Sequence, residues 1–373
     1  MFKRNSKLFA TAAFLCTAGI ALAQDSQALI DTLIRKGIIN SDEAKAIQTE
    51  AKNAASLVST TVTGKLYIDV SDVSAKTDAG VKQDPSGVGV DVKRFYFGVT
   101  HQFDKMWSAN INTDSAFNAT TGVTNLFIKT AYVQAKFSPE AIVQVGSANE
   151  PWIPFVEDTY GFRYVEQTVT DRLKFGNSAD WGVHFLGTNN MVSYNFSAVN
   201  GGGYKNPTRS NSMDFEGRIS VEPVKGLVFA VGGYTGDLGK DSNTSPAKQT
   251  ATRTDLLVNY TTDKFKVGGE YFSEDNWGLT AAATPDSGDG YSLWAQYKMD
   301  KMWSVFLRYD KDKASKDLHP LFQETYYNFG VQCSVMKGVD ISLVYKNDNI
   351  DHPTSASVIT SAEEIGLYAQ IAF

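Results

Sequence analysis

The sequence predicts an all-β fold: a sixteen-stranded antiparallel transmembrane β-barrel behind a short N-terminal helical periplasmic segment. Three observations predict it. From Thr60 to Phe373 apolar residues recur at every second position, the connections alternate between short and long, and aromatic rings recur beside the short ones.

The N-terminus sets the compartment. "MFKRNSKLFATAAFLCTAGIALAQ" carries Lys3, Arg4 and Lys7, an apolar run from Leu8 to Leu22, and Ala21-Leu22-Ala23 before Gln24. A cationic region, an apolar region and an A-x-A site define a secretory signal over residues 1–23. The alternative is an uncleaved anchor, for which the run is short against the roughly 20 residues a span needs. Cys16 follows Leu15, unlike a lipoprotein acceptor, and leaves with the signal. Cys333 alone remains, so no internal disulfide staples the exported chain.

Loss of three cations takes the formal net charge from -6 to about -9. Nucleic acid is excluded as a partner by the missing basic face. No later stretch is apolar for long enough to make a helical span.

Residues 24–59 read as a helical leader in the periplasm. Leu29, Ile30, Leu33 and Ile34 have helical spacing, Gly37 breaks it, and Asn40 or Ser41 caps a second start with Glu43 in its first turn. The stripe is too narrow for a core of its own. It is a spacer or a segment that associates between subunits.

Residues 60–373 hold the barrel. Sixteen stretches alternate, from "LYIDV" and "FYFGVTHQF" through "AIVQVG", "DWGVHFLG" and "DLLVNYT" to "VDISLVYK" and "IGLYAQIAF". Seven short connections ("DKM", "SPE", "TNN", "EPVKG", "TDK", "MDKM", "MKG") interleave with eight long ones rich in Gly, Asp, Ser, Asn and Thr. That is the tally of sixteen strands whose chain starts and ends on the periplasmic side of a bacterial outer membrane; fourteen or eighteen would require fusing or splitting a hairpin. The pentapeptide "DKMWS" occurs at 104–108 and again at 300–304, and "TDKFK" is a variant at 262–266. Each puts a ring, Trp107, Trp303 or Phe265, at the first outward position after a turn, where headgroups favour amphipathic rings. Phe373 ends an alternating last strand, as in barrels recognised by the outer-membrane assembly machinery. Outer-membrane lipid and lipopolysaccharide are the surroundings this implies.

"GSANEPWIPFVEDTYGFRYVEQTVTDRLKFGNSADWGVHFLG", with the preceding "AYVQAKF", resembles the phosphate-selective porin O and P family. The shared features are a strand ending in Gly, a Pro-aromatic segment with acids, an Arg-aromatic pair and an Asp-Trp strand. The leader "LIRKGIINSDEA" is similar to helical leaders of such porins. The resemblance implies a trimeric sixteen-stranded channel. It does not by itself imply phosphate.

With Phe, Tyr, Val, Leu and Ile facing lipid, the opposite register carries Lys65, Arg94, Lys136, Arg218, Lys266, Lys298, Arg308 and Lys346. It also carries Asp69, Asp114, Asp180, Asp214, Glu216, Asp255, Glu270 and Glu364. Equal numbers leave no ladder of bases along one wall, which a phosphate-selective pore would need. The bland alternative for each is a paired, hydrated wall residue.

The longest loop, about 148–178, contains "PWIPFV". Exposing that cluster to water is unfavourable by roughly 25 cal/mol per square ångström, so the loop is expected against the inner wall of a lumen wide enough to hold it. It would bring Glu150, Glu157, Asp158, Glu166 and Asp171 with Arg163, Arg172 and Lys174 to the narrowest zone. Five acids against three bases predict weak selectivity tilted to cations. Arg163 is the expected constriction residue, or it pins the loop to a wall acid such as Asp180 or Glu216.

Catalysis finds little support. His101, His184, His319 and His352 lack metal-ligand spacing, and no cofactor is implied. His184 near Ser193 is the single candidate for a hydrolytic pair. "GGG" at 201–203 reads as a flexible loop tip. The expectation is therefore a passive outer-membrane channel for small hydrophilic solutes or ions, and not an enzyme. The other reading is a structural or adhesive barrel that binds an external partner through its loops. Mass measurement of the exported protein should give a chain beginning at Gln24; a retained Met1 refutes the signal.

Overall fold

The computed structural model describes residues 32–36, 39–40, 43–45, 58–118, 122–353 and 358–373. The predicted signal, Leu29 and Ile30 lie outside them. The chain divides into two units, Met1–Ser59 and Thr60–Phe373.

In the first unit, residues 32–35 form a helical turn and residues 43–45 another. Asn40 caps the second: its N–H donates to Glu43 Oε2 at 2.8 Å while the Glu43 N–H donates to Asn40 Oδ1 at 2.8 Å. This reciprocal box satisfies two helix-end donors at once.

The second unit is a closed sixteen-stranded antiparallel barrel. Its strands are β1 (Ser59–Thr77), β2 (Lys82–Gln102), β3 (Trp107–Asn118), β4 (Val123–Ser138), β5 (Ala141–Asn149), β6 (Ala179–Thr188), β7 (Val192–Val199) and β8 (Asp214–Val224). They continue with β9 (Leu227–Gly236), β10 (Ala251–Thr261), β11 (Phe265–Asp275), β12 (Ser287–Lys298), β13 (Trp303–Lys313), β14 (Gln323–Met336), β15 (Val339–Asp351) and β16 (Ile359–Ala372). β1 closes on β16, with Leu66 opposite Ile371 and Val73 opposite Glu364. Closure leaves no edge, so every strand's backbone is paired within the wall.

Alternation places the side chains as the period of two requires. On β10, Leu256, Val258 and Tyr260 are exposed on the outside, whereas Arg253, Asp255, Leu257 and Asn259 are buried inside. Two hairpins differ from expectation. The first and second long connections shrink to residues 78–81 and 119–122, because β1 and β2 run on for 19 and 21 residues and β3 and β4 for 12 and 16. Polar sequence extends this ladder past the apolar band: Ser86 Oγ accepts from Ala75 N at 2.9 Å and donates to Ala75 O at 3.1 Å.

The repeated pentapeptide has a local cause as well as a place. Asp104 Oδ1 accepts the N–H groups of Met106 and Trp107 at 2.8 and 2.7 Å, and Asp300 Oδ1 those of Met302 and Trp303, both at 2.7 Å. Thr262 Oγ1 does the same for Lys264 and Phe265, and Asn189 Oδ1 for Met191 and Val192. The first residue satisfies two turn donors, which is why Asp, Thr or Asn stands there. Trp107, Phe265 and Trp303 then open β3, β11 and β13 with their rings exposed on the outer face. The Phe373 ring covers Gly64, where a Cβ would stand 2.2 Å from it, and its main chain exchanges two 3.0 Å bonds with Gly64.

One expectation is corrected here. Gly201–Gly203 is no free tip: the Gly203 N–H donates to buried Asp180 at 3.0 Å, and a Cβ at Gly201 would stand 2.0 Å from Asp214. Quenchers fixed at the lipid headgroups should dim both Trp107 and Trp303. Quenching by aqueous agents alone would show the turns to lie off the interface.

Candidate functional site

Residues 150–178, between β5 and β6, fold into the barrel. The Glu150 N–H donates to Ser178 O at 3.2 Å and closes the base of the loop. Helix α1 (Ile153–Tyr160) starts with Pro at its first turn and stops at Gly161 in the left-handed conformation, φ 85°, whose N–H donates to Glu157 O. Ile153, Val156 and Tyr160 form its buried stripe. A short helix α2 (Val169–Arg172) follows.

Apolar packing fixes one side of the loop. Trp152 is fully buried; a Cβ on Gly232 of β9 would stand 2.6 Å from its ring, so glycine is needed opposite it. The Trp152 main-chain N–H donates to Glu216 at 3.1 Å and its indole N–H to Glu270 at 3.3 Å. Phe162 stacks on Phe306 at 4.0 Å, Tyr160 meets Trp294 edge-on at 5.8 Å, and the Tyr164 hydroxyl lies 2.6 Å from Ser342 Oγ. The apolar cluster thus reaches β9, β10, β12, β13, β15, β16 and β1.

Polar groups do the rest. Five wall cations each donate to a main-chain carbonyl of the loop: Arg218 to Pro151 at 3.0 Å, Lys266 to Tyr160 at 3.1 Å, Lys93 to Val165 at 2.9 Å, Arg308 to Gln167 and Arg253 to Phe175. A loop inside a barrel has few other donors for its carbonyls, and leaving them unpaired is costly. Arg172 reaches the opposite way, to Glu324, with Asp348, Asp310 and Asp312 at 3.5, 3.7 and 3.8 Å. Glu166 is 3.2 Å from Lys346, which also lies 3.4 Å from Glu364.

The predicted wall charges therefore divide. Arg218, Lys266 and Arg308 hold the loop, as do Glu216, Glu270 and Lys346. Asp255 backs Arg253 at 2.9 Å, and Asp69 lies 3.8 Å from Lys93. Asp180 and Asp214, both fully buried, accept main-chain N–H groups of Gly203 and of Asp237 and Leu238. These side chains do not face open water, contrary to the expectation of lining residues. Lys65, Arg94, Asp114 and Lys298 do border open cavities, and Lys136 is exposed at the inner end of β4.

Loop charges divide too. Arg163 pairs within the loop, with Glu157 at 2.5 Å and Asp171 at 3.2 Å, and with neither Asp180 nor Glu216. Glu150 is buried, and burial followed by the Glu216 and Asp180 carboxylates pushes its own well above the usual range. Burial also raises Asp158, against the pull of Lys65 and Lys129. For Glu166 burial acts upward, but Lys346 and Lys93 override it and hold the carboxyl below its ordinary value. A depressed pKa adds stability above the ordinary carboxylate range and loses it as pH falls through the folded value.

Open space remains on the other side, against β1–β7. An outer cavity of about 530 Å³ is bordered by Arg94, Lys129, Arg163, Lys174, Lys205 and Lys240, with Asp114 and Asp171 as its acids. Among the described residues Lys129, Lys174, Lys205 and Lys240 have no carboxylate within 4.0 Å; Lys129 sits 4.8 Å over the Tyr96 ring and Lys205 4.8 Å over Phe127. Tyr96 and Lys129 also border a middle cavity of about 400 Å³, where Lys65 and Lys129 face Glu157 and Asp158. Thr63, Asn112 and Asn149 lead on to a third space of about 260 Å³.

Sequence reasoning missed Lys93, Lys129 and Arg253. Lys129 is left unpaired where β3 and β4 slip, Asn112 facing Thr130 and Thr113 facing Ile128. Lys93 adjoins Arg94, and both reach inward where strict alternation admits one. Arg253 was legible: it shares the face of Asp255 two residues on. The hydrolytic pair dissolves, since His184 Nδ1 is 2.7 Å from Ser197 Oγ rather than Ser193, and among the described residues no carboxylate orients it.

A closed sixteen-stranded barrel whose polar lumen is narrowed by its own loop defines a transmembrane channel of the outer membrane. The chain belongs to the Gram-negative porin family, whose model matches residues 10–353. Solved structures agree at the level of fold. An anion-selective porin from Comamonas acidovorans is 14% identical, covering 85% of this chain and 100% of that one, with a TM-score of 0.59. The outer membrane channel DcaP of Acinetobacter baumannii is 12% identical, with 85% and 98% coverage and a TM-score of 0.62. OmpF of Salmonella typhi, in complex with daunomycin, is 13% identical, with 85% and 98% coverage and a TM-score of 0.58. Nothing matches among curated proteins. These findings reach Gram-negative porins and not the phosphate-selective group within them.

Arg172→Ala removes the loop cation from the acids of β13–β15, and breaking such a buried pair typically costs about 3–5 kcal/mol. The expected outcome is flickering single-channel current with faster amide exchange at residues 169–175. Quiet current and unchanged exchange would show that Arg172 does not hold the loop.

Proposed function

We propose that the protein forms a passive, water-filled passage for small hydrophilic solutes and ions, running between the inserted loop and the β1–β7 wall, and that it catalyses no reaction. One observation carries this reading: three cavities with shared borders follow one another on that side, while the loop's apolar face closes the other. The working form is a homotrimer surrounded by outer-membrane lipid and lipopolysaccharide, placed there by the barrel assembly machinery, with the leader in the periplasm. Kinship with phosphate-selective porins is the finer form of the same proposal, resting on the likeness of residues 130–187.

Selectivity is weak and turns on exposed charge, not on total charge. Counting loop residues predicts a tilt to cations, but Glu157, Glu166 and Asp171 are paired and Glu150 is buried, which leaves Asp158 as the exposed acid of the five. At the outer cavity Arg94 and Arg163 are paired with acids, and the unpaired Lys129, Lys174, Lys205 and Lys240 favour anions there. The middle cavity is balanced and keeps the preference small.

Single-channel recording across a salt gradient tests both parts. Deleting 152–172 should raise conductance, and Lys129→Glu with Lys205→Glu should move the reversal potential toward cations. If the deletion leaves conductance as it was, the passage does not run beside the loop.

A further inference from the structure

The third cavity differs in kind from the two above it. It is bordered by Thr63 of β1, Gly98 of β2, Asn110 and Asn112 of β3, Thr130 and Tyr132 of β4, Gln144 and Asn149 of β5, Leu186 of β6 and Asn195 of β7. None is charged. A lumen otherwise dense in Lys, Arg, Asp and Glu has here a zone of amides and hydroxyls, with Leu186 and Gly98 as its apolar members.

Part of this set is tied together. Gln144 Nε2 donates to Gln134 Oε1 at 2.8 Å, Asn110 Nδ2 to Thr100 Oγ1 at 2.9 Å, and Thr130 Oγ1 to Asn110 Oδ1 at 2.6 Å. Those bonds fix the frame. Another part is left over: the side chains of Thr63, Asn112, Tyr132 and Asn149 have no hydrogen-bond partner among the described residues, and Asn195 Oδ1 is buried without one. Gly98 makes the room, since a Cβ there would stand 2.7 Å from Thr63 Oγ1 and 3.2 Å from Asn112 Oδ1.

We propose that this zone is a transient binding site for small neutral polyhydroxylated solutes, sugars and polyols. The inference rests on the passage proposed above. Free amides offer a donor and an acceptor side by side, as vicinal hydroxyls do, so such a solute exchanges its water contacts nearly one for one. An ion entering the same zone loses hydration and meets no opposite charge. An apolar solute leaves the amides unpaired. The volume, about 260 Å³, holds one sugar ring with some of its water.

Recording of the full-length channel in potassium chloride, with glucose or a polyethylene glycol of matched size added, separates binding from simple volume exclusion. The polymer should lower current linearly with concentration; glucose should add a component that saturates. Asn112→Ala with Asn149→Ala should weaken that component roughly tenfold, as losing about one net hydrogen bond implies. Asn112→Asp, which keeps the size and removes the donor, should weaken it as well. Superposed glucose and polymer curves, or variants that still saturate at the original concentration, overturn the site. Absence of any potassium chloride current would instead overturn the passage, and the site with it.

Discussion

A peptide loop folded into a barrel must find partners for its main chain where no strand can supply them. That requirement organises the lumen. The carbonyls of Pro151, Tyr160, Val165, Gln167 and Phe175 point at the wall, and the wall answers with Arg218, Lys266, Lys93, Arg308 and Arg253. Wall acids then become necessary in turn: Asp255 backs Arg253, and Asp310 meets Arg308 at 2.5 Å. Charges that look like lining on a linear reading are the inner anchorage of a loop.

The apolar side chains of the loop settle which side is closed. Trp152, Val156, Phe162 and Val165 need a surface, and Ala230, Leu257, Phe306 and Val344 provide one inside an otherwise polar barrel. Burying rings in this way is the largest available gain, and the cations only complete it. Once that half is filled, the passage is displaced toward β1–β7, where Thr, Asn and Gln stand beside Lys65, Arg94, Tyr96, Asp114 and Lys129. Position of the loop and chemistry of the passage are therefore one decision.

Most of the fold was legible because barrel strands repeat a simple rule, and the rule is visible in "DLLVNYT" as plainly as in the final "IGLYAQIAF". The alternation of short and long connections supplied the strand number. Strand ends were less legible, because beyond the apolar band β1 and β2 continue as polar ladder that looks like loop. Arg253 stands just outside the stretch recognised as β10 and was missed for that reason, although its place two residues before Asp255 puts it on the same inward face. Lys129 was hidden differently: a one-residue slip between β3 and β4 turns it inward, and no pattern of period two anticipates a slip. The loop's destination was legible from "PWIPFV", but the partners of Arg163 were not, since a linear sequence does not say that Glu157 and Asp171 return to it.

Charge counting fails here for a physical reason. A buried ion paired at 2.5–3.2 Å exerts little field on a solute several ångströms away, because its partner cancels it and the pair is fixed. What a passing solute feels is the remainder: lysines over rings, such as Lys129 on Tyr96 and Lys205 on Phe127, which have no carboxylate within 4.0 Å among the described residues. The wall is balanced in its total and unbalanced in its remainder. Where charge is missing from the border, around Asn110, Thr130, Gln144 and Asn195, hydrogen bonding is the main interaction left with which to discriminate, so on the proposed reading a single lumen sorts solutes by charge at its outer end and by hydroxyl content farther in.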